Sequence, residues 1–285
     1  MNLQILKRFF RPGIRQLSLD SPYKGWISSK IDSRMAGHSS LLAPDPEIYE
    51  LISVSVNPGD WDKYLSHSDR IFELIKKVDS SESEHLASWT SVIGGEHFNV
   101  LHLIKFRGGF HNVDESRLAL KLSKEYQAEL RSGLPFLKEQ SNTIVKAFNF
   151  WPEPLNREGS NVYDVRSYIV KPGSMYDWAN YWSKGMKCRM QVRPDIPYGG
   201  FFTQIGQLHT IHHLWCYKDL ADRKSCREST WNQPEWNSVV SNTVPLIKEM
   251  STKILEPLPF SPTHFDNHEI TILSSVLVFE DNIDF

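Results

Sequence analysis

Three histidines fall within five residues, His209, His212 and His213, and a fourth, His102, holds the matching place in an earlier stretch of similar sequence. Imidazole ligates zinc, copper and haem iron and exchanges protons near neutral pH, so chemistry would be sought here first. Strand geometry restricts it. Successive side chains of a strand point to opposite faces, which separates His212 from His213 and leaves only His209 and His213 on one face. A ligand role is open to His213 with its counterpart His102, yet no cysteine or carboxylate completes a metal-binding spacing. No metal or other cofactor is therefore expected, and the alternative for each ring is burial with its nitrogens hydrogen-bonded.

Arg166 lies in a run of strand character. Inside a barrel its guanidinium would need a carboxylate or an anionic ligand, and an ion pair is the first expectation. Nine tryptophans, Trp215 among them, could line a small-molecule pocket, although their helix and strand spacing favours core packing. His213, His102, Arg166 and Trp215 are accordingly the candidate ligand-binding residues, and no residue is singled out as catalytic. Cys188 stands between Lys187 and Arg189, which would lower its thiol pKa, but its helix offers no histidine base and nucleophilic catalysis is not expected. Two aromatic-x-x-aliphatic strings, Tyr49-Glu50-Leu51-Ile52 and Phe72-Glu73-Leu74-Ile75, match peptides that add to the sheet edge of a ubiquitin-like modifier. Both read as buried elements.

The elements that position these residues occur twice. Ile48 and Pro58-Gly59 in the first copy answer to Val162 and Pro172-Gly173 in the second, 114 residues later. His102-Leu103-Ile104 is echoed by His213-Leu214-Trp215, and Pro135-Phe136-Leu137 by Pro245-Leu246-Ile247, in the same order. Each copy reads as strand (48–56 or 162–170), Pro-Gly turn and amphipathic helix. In the second helix Trp178, Tyr181, Trp182, Gly185 and Met186 share a face; in the first, Tyr64, Ile71, Leu74, Ile75 and Val78 do. Two strands joined through Gly94-Gly95 or Gly206 follow, then a long helical stretch (115–139 or 219–249) and a closing strand near 144–150 or 254–260. The order βαββαβ predicts an α+β fold of tandem ferredoxin-like modules whose sheets cover one another in a dimeric α+β barrel-type unit.

The whole chain sets outer limits. Its 285 residues, 40% hydrophobic and 23% charged, suit two domains, and a net charge of −2 gives no basic footprint for nucleic acid. Three cysteines without CxxC spacing suit a reducing compartment. No apolar run reaches the roughly 20 residues of a spanning helix. Lys7, Arg8, Arg11 and Arg15 precede the first acidic residue, Asp20, and alternate with Leu3, Leu6, Phe10, Ile14 and Leu17 at helical spacing, as in a mitochondrial presequence. The expected organisation is presequence 1–27, linker 28–46, first module 47–151, connection 152–161, second module 162–261 and C-terminal extension 262–285.

Phe148-Asn149-Phe150-Trp151-Pro152-Glu153-Pro154, Asn161-Val162-Tyr163-Asp164-Val165-Arg166-Ser167-Tyr168 and Lys171-Pro172-Gly173 resemble the central signature of the NIPSNAP family. Gly199-Gly200-Phe201-Phe202-Thr203-Gln204-Ile205-Gly206, His212-His213-Leu214-Trp215-Cys216-Tyr217-Lys218-Asp219-Leu220 and Thr243-Val244-Pro245-Leu246 are similar to further stretches of it. The resemblance covers residues 28–261 and is stronger in the second copy. It implies a dimeric α+β barrel, mitochondrial residence in the matrix or beside a membrane, and a non-enzymatic adaptor or scaffold role in vesicle transport or mitophagy. Implied partners are other proteins, autophagy adaptors or mitochondrial proteins, with a homo-oligomer compatible. The competing reading is a small-molecule or haem-binding barrel of monooxygenase type. The tail after Pro262 departs from the family pattern.

Overall fold

The computed structural model describes residues 38–79 and 83–265. The presequence, residues 28–37 of the linker and residues 266–285 of the C-terminal extension lie outside the described residues. After a short helix α1 (His38–Leu42), the first half runs β1 (Ile48–Val56), α2 (Trp61–Val78), β2 (Ser83–Ile93), β3 (Asn99–Phe106), α3 (Phe110–Leu122), α4 (Lys124–Gly133) and β4 (Leu137–Ala147). The second half repeats it as β5 (Val162–Val170), α5 (Met175–Val192), β6 (Pro197–Ile205), β7 (Thr210–Tyr217), α6 (Leu220–Trp231), α7 (Trp236–Thr243) and β8 (Ile247–Pro257).

Eight antiparallel strands close a barrel in the order β1-β3-β2-β8-β5-β7-β6-β4. Each half supplies four adjacent strands, and the barrel closes where β2 pairs with β8 and β4 with β6. Edge pairing thus satisfies backbone groups that either half alone would leave open. Alternation along each strand divides the apolar residues in two. Tyr49, Leu51, Leu103, Tyr163, Val165 and Leu214 fill the barrel interior, while Val54, Val100, Tyr168, Trp178 and Trp215 belong to clusters that include residues of the flanking helices.

Each expected long helix proves to be two helices, followed by a strand that starts earlier than the pattern suggested. Ser123 ends α3, and its side chain accepts from the Tyr126 backbone N–H, capping α4. In the second half Pro234 stands in the break between α6 and α7, where it cannot continue a helix. The first six residues of β4 are half-exposed or exposed, so they carry no alternation to mark a strand. The same holds for β8.

The segment leaving each half lies on the other. The Phe148 N–H donates to the carbonyl of Gly200 at 2.9 Å, and the Leu258 N–H to that of Ser88, also at 2.9 Å. This exchange places Trp151 over the second half and Ser261 over the first.

Candidate functional site

His102 and His213 lie on β3 and β7, paired with Ile52 and Arg166 of the neighbouring strands. Both rings face outward under the helices, in separate layers, so the structure does not bring them together as a ligand pair. His102 is 4% exposed and fully bonded: Tyr64 Oη lies 2.8 Å from Nε2 and Ser88 Oγ 2.6 Å from Nδ1. The chain continues from Ser88 Oγ to His85 Nε2 at 2.7 Å, and the His85 ring stacks on Phe72 at 3.6 Å. A neutral imidazole has one donor and one acceptor, so Tyr64, His102, Ser88 and His85 can pass donors in a single direction. Burial pushes His102 down to about 3 and His85 to about 4.

His213 is fully buried, and neither ring nitrogen has a hydrogen-bond partner among the described residues. Aromatic rings surround it instead: Trp151 at 4.7 Å, Trp182 at 4.9 Å, Tyr168 at 5.1 Å, Trp178 at 5.3 Å and Trp215 at 6.2 Å. Burial, with the nearby Arg166, holds its pKa well below the ordinary value. Trp215 is thus a wall of this cage. His209 does not share the face: it sits before β7 with φ 61°, outside the strand. Arg166 is not inside the barrel, and its expected ion pair is missing from the described residues; Nε donates to Tyr168 Oη at 2.9 Å. The Cys188 thiol is pushed up by burial rather than lowered by its basic neighbours. The two aromatic-x-x-aliphatic strings belong to β1 and α2, with Tyr49 1% exposed, so neither is a free peptide.

A different set of residues lines the barrel interior. One end is plugged by aromatics, with Trp89 5.1 Å from Tyr163 and 5.6 Å from Tyr198, and Tyr49 4.9 Å from Phe201. Lys105 is buried beside that plug and paired with Glu47 and Glu153. The other end holds a chamber of about 180 Å³, walled by Leu51, Val165 and Leu255 and by Ser91, Ser167, His212 and Lys253. It shares Ser53, Asn99, Ser141 and Lys253 with a wider polar mouth of about 510 Å³. The Ser167 hydroxyl and His212 Nδ1 share a hydrogen bond of 2.9 Å, and burial pushes His212 down to about 4. Lys253 has no carboxylate in salt-bridge contact among the described residues, and the chamber can therefore offer a hydroxyl-rich wall, a neutral imidazole and an ammonium to a small molecule.

Comparison with known proteins places this geometry. The family model described as NIPSNAP matches residues 163–262. The chain is 36% identical over 245 residues to the protein NipSnap of Drosophila melanogaster, covering 84% of this chain and 89% of that one. The chain belongs to the NIPSNAP family. A human NIPSNAP relative, NipSnap homolog 2, is 34% identical over 245 residues and covers 85% of each chain. Among solved structures, a putative monooxygenase from Fusobacterium nucleatum superposes with a TM-score of 0.57 over 75% of this chain and 93% of its own. At 9% identity that likeness is one of fold alone.

Sequence reasoning set His212 aside as the histidine pointing away from His213, and it passed over Lys253. A signal for both was present in the NIPSNAP repeat. At the strand positions equivalent to His212 and Lys253 the first copy carries Leu101 and Thr143. Both titratable groups of the chamber, His212 and Lys253, come from the second copy, which a position-by-position comparison of the copies would have exposed.

Proposed function

We propose that this NIPSNAP protein is a non-enzymatic mitochondrial scaffold whose barrel holds a small molecule with a hydrogen-bond-accepting head and an apolar body. The observation that carries the reading is the chamber: Lys253, His212 and Ser167 at one wall, Leu51, Val165 and Leu255 around them, the far end shut by aromatics. Binding is favoured over catalysis because an imidazole held near 4 is a weak base at neutral pH, so the Ser167–His212 pair lacks an activated nucleophile. Burial pushes the Cys188, Cys216 and Cys226 thiols up, away from reactivity. In this reading 47–151 and 162–261 are ferredoxin-like modules joined by 152–161, residues 1–27 direct mitochondrial import, and the outer surface meets proteins of the vesicle-transport or mitophagy machinery. The strand order within each half and the basic, amphipathic N-terminal sequence support these assignments.

The test is native mass spectrometry of the full chain purified from its expressing cells, with release of bound small molecules into organic solvent. A stoichiometric compound is expected in the wild type and in His213→Leu, and at least tenfold less in Lys253→Met. Equal loading of Lys253→Met, or loss confined to His213→Leu, would move the site out of the barrel.

A further inference from the structure

The outer layer of the second half concentrates positive charge. Arg166 of β5, Arg189 of α5, and Arg223 and Arg227 of α6 lie near one another, and one carboxylate, Asp164, contacts Arg223. That carboxylate is fully buried and already engaged: Oδ2 accepts from Arg223 Nε at 2.7 Å and Oδ1 from the Thr252 hydroxyl. Among the described residues none of the other three arginines has a carboxylate in salt-bridge contact.

Arg189 is the least compensated. It is 4% exposed, and its Nε and Nη1 donors have no partner among the described residues. Its guanidinium carbon lies 5.2 Å from the Trp215 ring and 5.0 Å from that of Trp236, which stabilises the cation but leaves Nε and Nη1 unused. The Tyr217 hydroxyl is likewise buried and unpartnered. Burial and the guanidiniums of Arg166, Arg189 and Arg223 together hold Arg227 below the ordinary arginine pKa, which places all four groups within electrostatic reach of one another. The architecture does not demand this arrangement. At the repeat positions of Arg166 and Arg189 the first half carries Ile52 and Ile75, on the same strand and the same helix turn.

Unmatched, buried guanidiniums are expensive, and their planar forks fit the oxygens of a phosphate bidentately. We propose that Arg166, Arg189 and Arg227, with the Tyr217 hydroxyl, form a binding site for the phosphate group of a small phosphate monoester. Arg189 and Tyr217 form its floor, and the half-buried Arg166 and Arg227 its solvent side. Arg223 stays with Asp164 and positions α6 over the site.

Calorimetric titration of the full-length chain with inorganic phosphate at low ionic strength tests this, with thermal unfolding in phosphate and in chloride at matched ionic strength as the second readout. Saturable binding and a phosphate-specific rise in Tm are expected in the wild type. Both fall at least tenfold in apparent affinity in Arg166→Gln and Arg227→Gln, which remove half-buried groups, and both persist in Lys77→Met, which removes an exposed cation of the first half. Equal stabilisation by chloride, binding of succinate in place of phosphate, or wild-type affinity in both arginine variants would overturn the assignment.

Discussion

His102 and His213 hold equivalent places in the two halves, each on the third strand of its set and each paired across to the first, yet their neighbours differ at every contact. Tyr64 on α2 reaches His102, and the repeat places Trp178 on α5 in the same relation to His213. Ser88 is the register partner of His102, and Gly200 that of His213. Ser261 and Trp151 close the respective layers from the exchanged segments. One half satisfies its histidine with hydroxyls; the other surrounds it with indoles. The barrel itself is indifferent to the choice, because both layers pack on the same backbone. A duplicated fold can thus keep its strand register while the buried polar chemistry of one copy is rewritten.

The largest test of this comparison is to exchange the wall beside His213. A Cβ at Gly200 would lie 2.3–2.4 Å from ring atoms of Trp151, so the indole occupies space that only glycine leaves open. Gly200→Ser should destabilise the fold by about 3 kcal/mol through overpacking, and Trp151→Ser by roughly 3–5 kcal/mol through loss of a buried ring. In the double variant, which copies the Ser88–Ser261 arrangement of the first half, the serine at 200 has room. Its added cost should then shrink to about 1 kcal/mol, a coupling of about 2 kcal/mol by urea unfolding. Strict additivity would mean that Trp151 does not depend on Gly200.

How far these differences were legible depends on what each residue signals locally. The repeat, the strand alternation of 48–56 and 162–170 and the helix after each Pro-Gly were plain, because apolar periodicity is a property of the strand or helix that carries it. The exposed starts of β4 and β8 carried no such pattern, and the stretches before them read as longer helices than they are. Of the candidate residues, His213, Trp215 and Arg166 do lie in one layer, but His102 lies in the other. The exchange of the 148–151 and 258–261 segments is a tertiary event with no local signature, so nothing in the sequence said that Trp151 would roof a histidine 62 residues later. His212 and His213 do point to opposite faces of β7, and a barrel gives each face its own interior, so strand alternation alone does not say which of the two lines a cavity.

Truncating the two histidines in parallel sharpens the contrast. His102→Leu removes the ring partner of the Tyr64 hydroxyl and one of the two histidine partners of Ser88 Oγ, leaving Ser88 with His85 alone in a buried setting, and should cost about 2–4 kcal/mol at pH 7. His213→Leu breaks no hydrogen bond to the described residues and exchanges one apolar-walled ring for a side chain of similar volume. Its effect at pH 7 should stay within about 1 kcal/mol of zero. Equal losses in urea unfolding would show that His213 has a polar partner after all.

Acid titration separates the same two sites by a smaller amount and in the opposite order. His85, His102 and His212 all have folded pKa values of about 3 to 4, below the unfolded value of about 6.5, and His213 is shifted the same way. Between those limits the unfolded chain binds more protons than the folded one, so stability present above pH 6.5 is lost as the pH falls toward 4, by up to about 1.4 kcal/mol per pH unit for each histidine. Replacing a histidine removes its share of that loss. His213→Leu, with little effect at pH 7, should therefore become more stable than the wild type as the pH falls from 6.5 to 4.5, whereas His102→Leu begins from a deficit that acid only narrows. Crossing stability curves for His213→Leu and the wild type between pH 6.5 and 4.5 are the expected signature. Parallel curves would mean that the caged ring takes up no fewer protons folded than unfolded, and that the indole cage does not exclude the charge its geometry is built to exclude.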